Sequence, residues 1–244
     1  MRRVDRLSLT QRSLKYLARR TARVQLELHA HTLDVDKLWR ASRQTLPLRE
    51  VFDKLVAMAG DRKRCMYCGD SEGSDIEHYR PKSRFRTSMY VWNNMLLCCS
   101  PCGNLKGSEF PTQQGIPLLL NPSIEDPWYH LDFIPQTGII TARYQPDGST
   151  SLKGATTVRI LELDGRQHVA KGCKRTYKHL KRVVQETLDA AAPDALALIA
   201  ELKEEDDQGL CGWIFSGNGQ NEAPFSELRT QYPAIWSAAA AELS

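Results

Sequence analysis

Two Cys-x-x-Cys pairs, Cys65-Met-Tyr-Cys68 and Cys99-Ser-Pro-Cys102, are separated by 30 residues in a chain of 244. Each pair brings two sulfurs to one side of a tight turn. Two such turns supply four thiolates, the donor set of a tetrahedral structural zinc site. Residues 65–110 are interrupted by glycine, proline and cysteine and hold few long apolar runs. A segment of that kind does not fold on hydrophobic burial alone and needs a staple. The remaining thiols read differently. Cys98 follows Leu96 and Leu97 and would point away from Cys99 in an extended segment. Cys173 falls on the apolar face of a helical pattern, and Cys211 precedes Gly212-Trp213. All three are expected to pack as small core residues.

The start, MRRVDRLSLTQRSLKYLARR, is basic and has no long apolar run, so it reads as neither a signal peptide nor a membrane span. Asp5 and the helical pattern that continues beyond it argue against a mitochondrial transit peptide. A cytoplasmic location is therefore expected, where clustered cysteines act as metal ligands before they pair as disulfides. Charge is unevenly distributed. Residues 1–110 carry 21 Lys and Arg against 12 Asp and Glu, and residues 111–244 carry 12 against 17. A basic first half suits a polyanion such as nucleic acid, although a solvated charged surface has the same composition.

The expected fold is α+β, mainly α-helical, around a small zinc-stapled module. Three regions are expected: a basic helical region at 1–60, the module at 61–115, and a mixed then helical region at 116–244. Residues 9–31 read as a helix with Leu14, Leu17, Ala18 and Ala22 on one face, capped by Ser8 or Thr10. Asp34 caps a second helix bearing Val35, Leu38 and Trp39. Pro47 precedes a third with Val51, Leu55, Val56 and Met58, ended by Gly60. GIITARYQ, with a turn at PDGS, reads as part of a hairpin. Residues 166–192 and 194–203 read as helices, the first with Val169, Cys173, Tyr177, Leu180, Val184 and Leu188 on one face. EEDD at 204–207 reads as a solvated loop, and Pro233 breaks a last helical region.

Between the cysteine pairs lies DIEHYRPKSRFRTSMYVWNNMLL, with Glu77 beside His78, then Arg80, Lys82, Arg84 and Arg86, then Asn93 and Asn94. Phosphodiester hydrolysis needs a base to activate water and a divalent cation to stabilise the developing charge. His78 suits the base, because imidazole titrates near neutrality. Glu77 offers a hard oxygen to Mg²⁺. Neighbours on a strand face opposite ways, so the strand must twist or end there if both serve one site, or the scissile phosphate must lie at its edge. Asn93 or Asn94 can bond the loop backbone. The four alternating cations would share one side of an extended segment and track a phosphate backbone. No base-reading module is evident, so low sequence specificity is expected.

The pattern CMYC, IEH, NNMLLCCSPCGNLKG resembles an HNH endonuclease of the ββα-metal type with a four-cysteine zinc knuckle. The resemblance implies that Glu77 and His78 are the acidic residue and base of the first strand. It implies that Asn94 bonds the loop and orients the histidine, and that Lys106 contacts a phosphate or secures the fold. The family's third ligand, a His or Asn, follows the last cysteine and falls on Gly103, which has no ligand atom. Either Asn104 substitutes through a shifted helix start, or water fills the position, or the site is weakened or dead. The stretches SDIEHYRPKSRF, YVWNNMLLCCSPCGNLKGSEFP, LLLNPSIEDPWYHLDF and TTVRILELDGRQHV are similar in order to the HNH nuclease subunit of Septu anti-phage systems (PtuB) and of retron-associated relatives. That likeness covers about residues 60–175. It implies phage defence beside an ABC/SMC-like ATPase partner.

The expected chemistry is therefore DNA hydrolysis with structural Zn²⁺ at Cys65, Cys68, Cys99 and Cys102. Mg²⁺ or Mn²⁺ would sit at Glu77 with Asn104 or water, and His78, Glu77, Asn94 and Asn104 would form the catalytic set. Arg80, Lys82, Arg84, Arg86 and Lys106 would bind nucleic acid. The alternatives are a zinc-stapled DNA- or partner-binding subunit silenced at Gly103, and an RNA-directed nuclease.

Overall fold

The computed structural model describes residues 1–243 and is a mainly helical α+β chain with three small two-stranded sheets. It divides into two compact units, one of residues 4–66 and 71–117, the other of residues 1–3, 67–70 and 118–243. The regions 1–60 and 61–115, separate in the sequence reading, thus share most of one unit. No helix among the described residues is long and apolar enough to cross a membrane.

The first unit opens with three helices: α1 (Gln11–His29), α2 (Val35–Arg43) and α3 (Leu46–Met58). Thr10 caps α1, and Asp34 caps α2 by accepting the Lys37 N–H at 2.9 Å. The buried face of α1 is Ser13, Leu17 and Val24, whereas Leu14 is 39% exposed and Ala18 and Ala22 are exposed. That differs from the expected Leu14–Ala22 stripe, and polar anchoring sets the register. Glu50 of α3 accepts from the Thr10 N–H at 2.7 Å and the Ser13 hydroxyl at 2.5 Å, while Arg20 donates to Ser42 Oγ of α2. On α3 the buried residues are Pro47, Leu48, Val51 and Leu55.

A hairpin follows, bridged antiparallel at Arg64 and Glu72, whose turn holds Cys65 and Cys68. Gly69, with φ of 69°, supplies the left-handed residue that this turn requires. Strands β1 (Asp75–His78) and β2 (Met95–Cys98) pair antiparallel, Glu77 opposite Leu96 and His78 opposite Met95. The short helix α4 (Ser100–Lys106) leaves the end of β2, and β3 (Thr112–Gln113) and β4 (Ile116–Pro117) form a minimal ribbon. The order strand, loop, strand, helix is the ββα arrangement.

In the second unit, β5 (Leu131–Ile134) pairs with β6 (Ile139–Ala142), and helices α5 (Leu152–Leu161), α6 (Gln167–Asp189), α7 (Ala195–Glu205), α8 (Leu210–Phe215), α9 (Phe225–Gln231) and α10 (Pro233–Leu243) follow. GIITARYQ thus pairs backward with LDFI, and the PDGS turn closes only an isolated bridge between Tyr144 and Thr150. α6 buries Val169, Cys173, Tyr177, Leu180 and Val184, as its periodicity requires. EEDD is not a solvated loop. Glu204 and Glu205 continue α7, and Asp206 and Asp207 are buried. Asp206 accepts the Leu210 and Cys211 N–H groups at 2.7 and 3.0 Å, satisfying the start of α8.

Candidate functional site

The four cysteines of the two pairs are buried and reduced, with sulfurs all within 4.8 Å of one another. Tetrahedral coordination at a metal–sulfur distance of about 2.3 Å needs sulfurs roughly 3.8 Å apart, so the cluster can hold a metal such as zinc after a small contraction. Local backbone explains the convergence. Cys99 is the cap residue before α4 and Cys102 lies in its first turn, while the Met66 N–H bonds the Leu97 carbonyl at 2.9 Å and locks the other turn against β2. Cys98 is buried and its thiol donates to the Cys99 carbonyl at 3.3 Å. The hydrogen bonds to Cys65 and Cys99, then burial, push that thiol upward, so it stays protonated.

Alternation along β1 separates the two central side chains. Ile76 and His78 are buried, whereas the half-exposed Asp75 and the mostly buried Glu77, its side chain 19% exposed, face the other side. His78 is 4% exposed, and its ring meets Trp39 of α2 edge-on at 4.5 Å between centroids. Nε2 lies 2.9 Å from the Met89 carbonyl. A carbonyl only accepts, so Nε2 carries the proton and Nδ1 keeps its lone pair in the neutral ring. Burial, with smaller contributions from the Lys82 and Lys106 charges, lowers the pKa to about 4, against the opposing pull of the Met89 bond. The ring is therefore firmly neutral and does not titrate near neutrality as the bare sequence suggested.

Asn94 holds the intervening loop at both ends. Its Oδ1 accepts the Arg80 N–H at 2.7 Å, and its Nδ2 donates to the carbonyls of Arg80 at 3.1 Å and Ser88 at 3.0 Å. Asn93 instead offers its carbonyl to Arg6.

On the other face of β1, Lys106 reaches back from α4. Its ammonium donates to Glu77 Oε1 at 2.7 Å and to the His78 carbonyl at 2.8 Å. Its side chain is fully buried, so of the two roles that the resemblance implies for it, contacting a phosphate or securing the fold, the geometry fits the second. Burial raises the Glu77 pKa, and Lys106 opposes that rise. α4 turns position 103 toward the carboxylate: a Cβ built on Gly103 would lie 3.6 Å from Glu77 Oε2 and 3.9 Å from Cys98 Sγ. The helix is regular there, with Gly103 N–H to Cys99 O at 3.0 Å and Gly107 N–H to Gly103 O at 2.9 Å. No shifted start brings Asn104 into place. It lies about 100° around the helix from Gly103 and is exposed.

The four cations do not form an extended stripe. Bonds from Arg84 N–H and Phe85 N–H to the Pro81 carbonyl, at 3.1 and 2.8 Å, and a 3-10 turn at Arg86–Ser88 curl the segment. Pro81, which fixes its own φ, starts that curl. Arg80 and Arg84 lie over the Phe85 ring, and Arg80 also lies over Phe110. Lys82 pairs with Asp36 at 2.5 Å. Arg80, Arg84 and Arg86 are exposed.

Two members of this site escaped the sequence reading. The Met89 carbonyl is backbone and carries no residue signal. Trp39 showed as one apolar position of a helix, with nothing to link it to His78. No family model matches the chain, and no curated protein or solved structure matches it.

Proposed function

We propose that this chain is a metal-dependent HNH endonuclease that hydrolyses DNA phosphodiester bonds, with structural zinc at Cys65, Cys68, Cys99 and Cys102. The observation that carries the reading is the His78 geometry at the end of a ββα unit. A neutral imidazole is held by Met89 with Nδ1 as its lone-pair nitrogen, and the loop that supplies Met89 is tied down by Asn94. His78 would take a proton from water at Nδ1. Glu77 Oε2 would hold a Mg²⁺ or Mn²⁺ ion, which needs only one or two carboxylates beside water and phosphate oxygens. That ion, when bound, supplies charge stabilisation at the attacked phosphate and leaving oxygen. In-line attack would leave 5′-phosphate and 3′-hydroxyl ends. With 4% of His78 exposed, the reading requires Trp39 to move aside before substrate docks. A role in anti-phage defence beside an ATPase partner is proposed from the sequence resemblance alone.

A second reading, a zinc-stapled binding subunit without cleavage, is favoured by Gly103 and by the Lys106 ammonium already seated on Glu77. The test is nicking of supercoiled plasmid with Mg²⁺ or Mn²⁺ by the wild type, His78→Ala, Trp39→Ala and Gly103→Asn, each with its bound zinc measured. The nuclease reading expects about one zinc per chain, nicking that His78→Ala abolishes, and faster nicking by Trp39→Ala. Nicking only in Gly103→Asn would establish the silenced subunit. Equal nicking by His78→Ala would remove His78 as the base. A matched RNA substrate separates DNA from RNA as target.

A further inference from the structure

Arg12, Tyr16 and Arg19 stand at i, i+4 and i+7 on α1 and so share one face. With Thr45, Leu46 and Pro47 they line a cleft of about 370 Å³, a volume typical of small-ligand sites. Neither Arg12 nor Arg19 has a hydrogen-bond or ion-pair partner among the described residues. Arg20, one position on, is committed inward. Its guanidinium donates to Ser42 Oγ at 3.1 and 2.5 Å and to the Leu38 carbonyl at 3.4 Å, and lies 5.6 Å from the ring centroids of both Tyr16 and Tyr90. A fixed cation against one aromatic face holds Tyr16 in place as a ready-made stacking plate. Leu46, 61% exposed, adds an apolar wall. Two unpaired guanidiniums, a braced aromatic ring and an apolar wall are the parts of a site for a nucleotide: phosphate for the cations, base for the ring.

We infer that this cleft grips a single nucleic-acid strand, with an unpaired base stacked on Tyr16 and flanking phosphates on Arg12 and Arg19. Seven helical residues separate the arginines by about 10 Å, roughly three phosphate steps of a stacked strand. An acidic protein segment would satisfy the arginines but would leave Tyr16 without a stacking partner. The inference rests on the nucleic-acid part of the proposed function and not on hydrolysis.

The test is fluorescence anisotropy with a fluorescein-labelled dT20 strand and a matched hairpin duplex, in EDTA, on the full chain carrying His78→Ala so that no cleavage intervenes. Arg12→Gln/Arg19→Gln should weaken dT20 binding at least tenfold. It should also flatten the slope of log Kd against log salt by about 1.4, the value for two phosphate contacts on a single strand. Tyr16→Ala should weaken dT20 binding roughly tenfold, in the range of one lost base stack, and duplex binding less than twofold. Tyr16→Phe should retain dT20 binding within threefold, which separates stacking from misfolding. An unchanged Kd and salt slope in the double variant would overturn the inference. So would equal losses on strand and duplex for Tyr16→Ala, or displacement of dT20 by poly-glutamate as readily as by unlabelled dT20. A chain that binds dT20 as described but never nicks plasmid would retain this inference and lose the nuclease reading.

Discussion

From Cys65 to the end of α4 the buried side chains include the four clustered thiols, His78, Asn94 and Lys106; the helices after residue 150 bury Val169, Leu180, Leu198, Leu202 and Phe225. The first set consists of groups that each suit a particular partner: a metal such as zinc, which the thiols can hold, Glu77 for Lys106, Met89 for His78, two loop carbonyls for Asn94. The second set needs only apolar neighbours of the right shape, as when Phe225 packs against the Tyr177 ring at 6.0 Å between centroids. The contrast teaches where each region is vulnerable. Specific partners make the ββα segment sensitive to single chemical changes, whereas dispersed burial makes the helices sensitive to lost volume.

The largest expected effect is metal loss. Cys102→Ser, or a strong chelator, should remove stabilisation on the order of 10 kcal/mol from the hairpin turns. Hydrogen exchange should then show β2 and α4 unprotected while α6 keeps its protection. Full protection of β2 without metal would erase the contrast. Next, Phe225→Ala should cost about 4 kcal/mol by leaving a cavity, measured by urea unfolding, with zinc content unchanged. Lys106→Met should cost about 3 kcal/mol, because it strands the mostly buried Glu77 carboxylate, and adding Glu77→Gln should recover part of that loss. A neutral result for Lys106→Met would mean that the ion pair does not hold the strand. The smallest expected effect is on pH dependence. A base must be neutral to act, and a histidine at about 4 stays neutral well below the usual 6.5. The kcat/KM for nicking, which reports the free chain with Trp39 still against the ring, should therefore change less than twofold between pH 7.5 and 5.5. A tenfold fall across that range would assign the imidazole its ordinary pKa.

How much of this was legible in the sequence follows the range of each interaction. The four cysteines were readable because a Cys-x-x-Cys turn is local, and so were α2, capped by Asp34, and α6, whose apolar face repeats over 23 residues. The buried face of α1 was not, because it is fixed by Glu50 and Ser42 from other helices, and Ser13 rather than Leu14 fills the interior. The role of Lys106 stayed open between a phosphate and the fold because lysine is almost always solvent-exposed, and only the fold supplies the two oxygens that let it be buried. Asp206 was misplaced for the same reason, since the N–H groups it satisfies belong to a helix that starts four residues later. At the candidate site, Glu77 and His78 were named from their residue types side by side and Asn94 from the family resemblance, whereas Trp39 and Met89 reach His78 from 39 and 11 positions away.

The Asn94 bonds have a mechanical consequence. They tie Arg80 to Ser88, so the curled segment between them, with Lys82, Arg84 and Arg86, is fastened at both ends to one amide. Met89, the next residue, is the brace of the imidazole. One amide thus pins the loop that carries the cations and, one residue on, the carbonyl that orients the ring, so the surface charges and the imidazole share a single anchor.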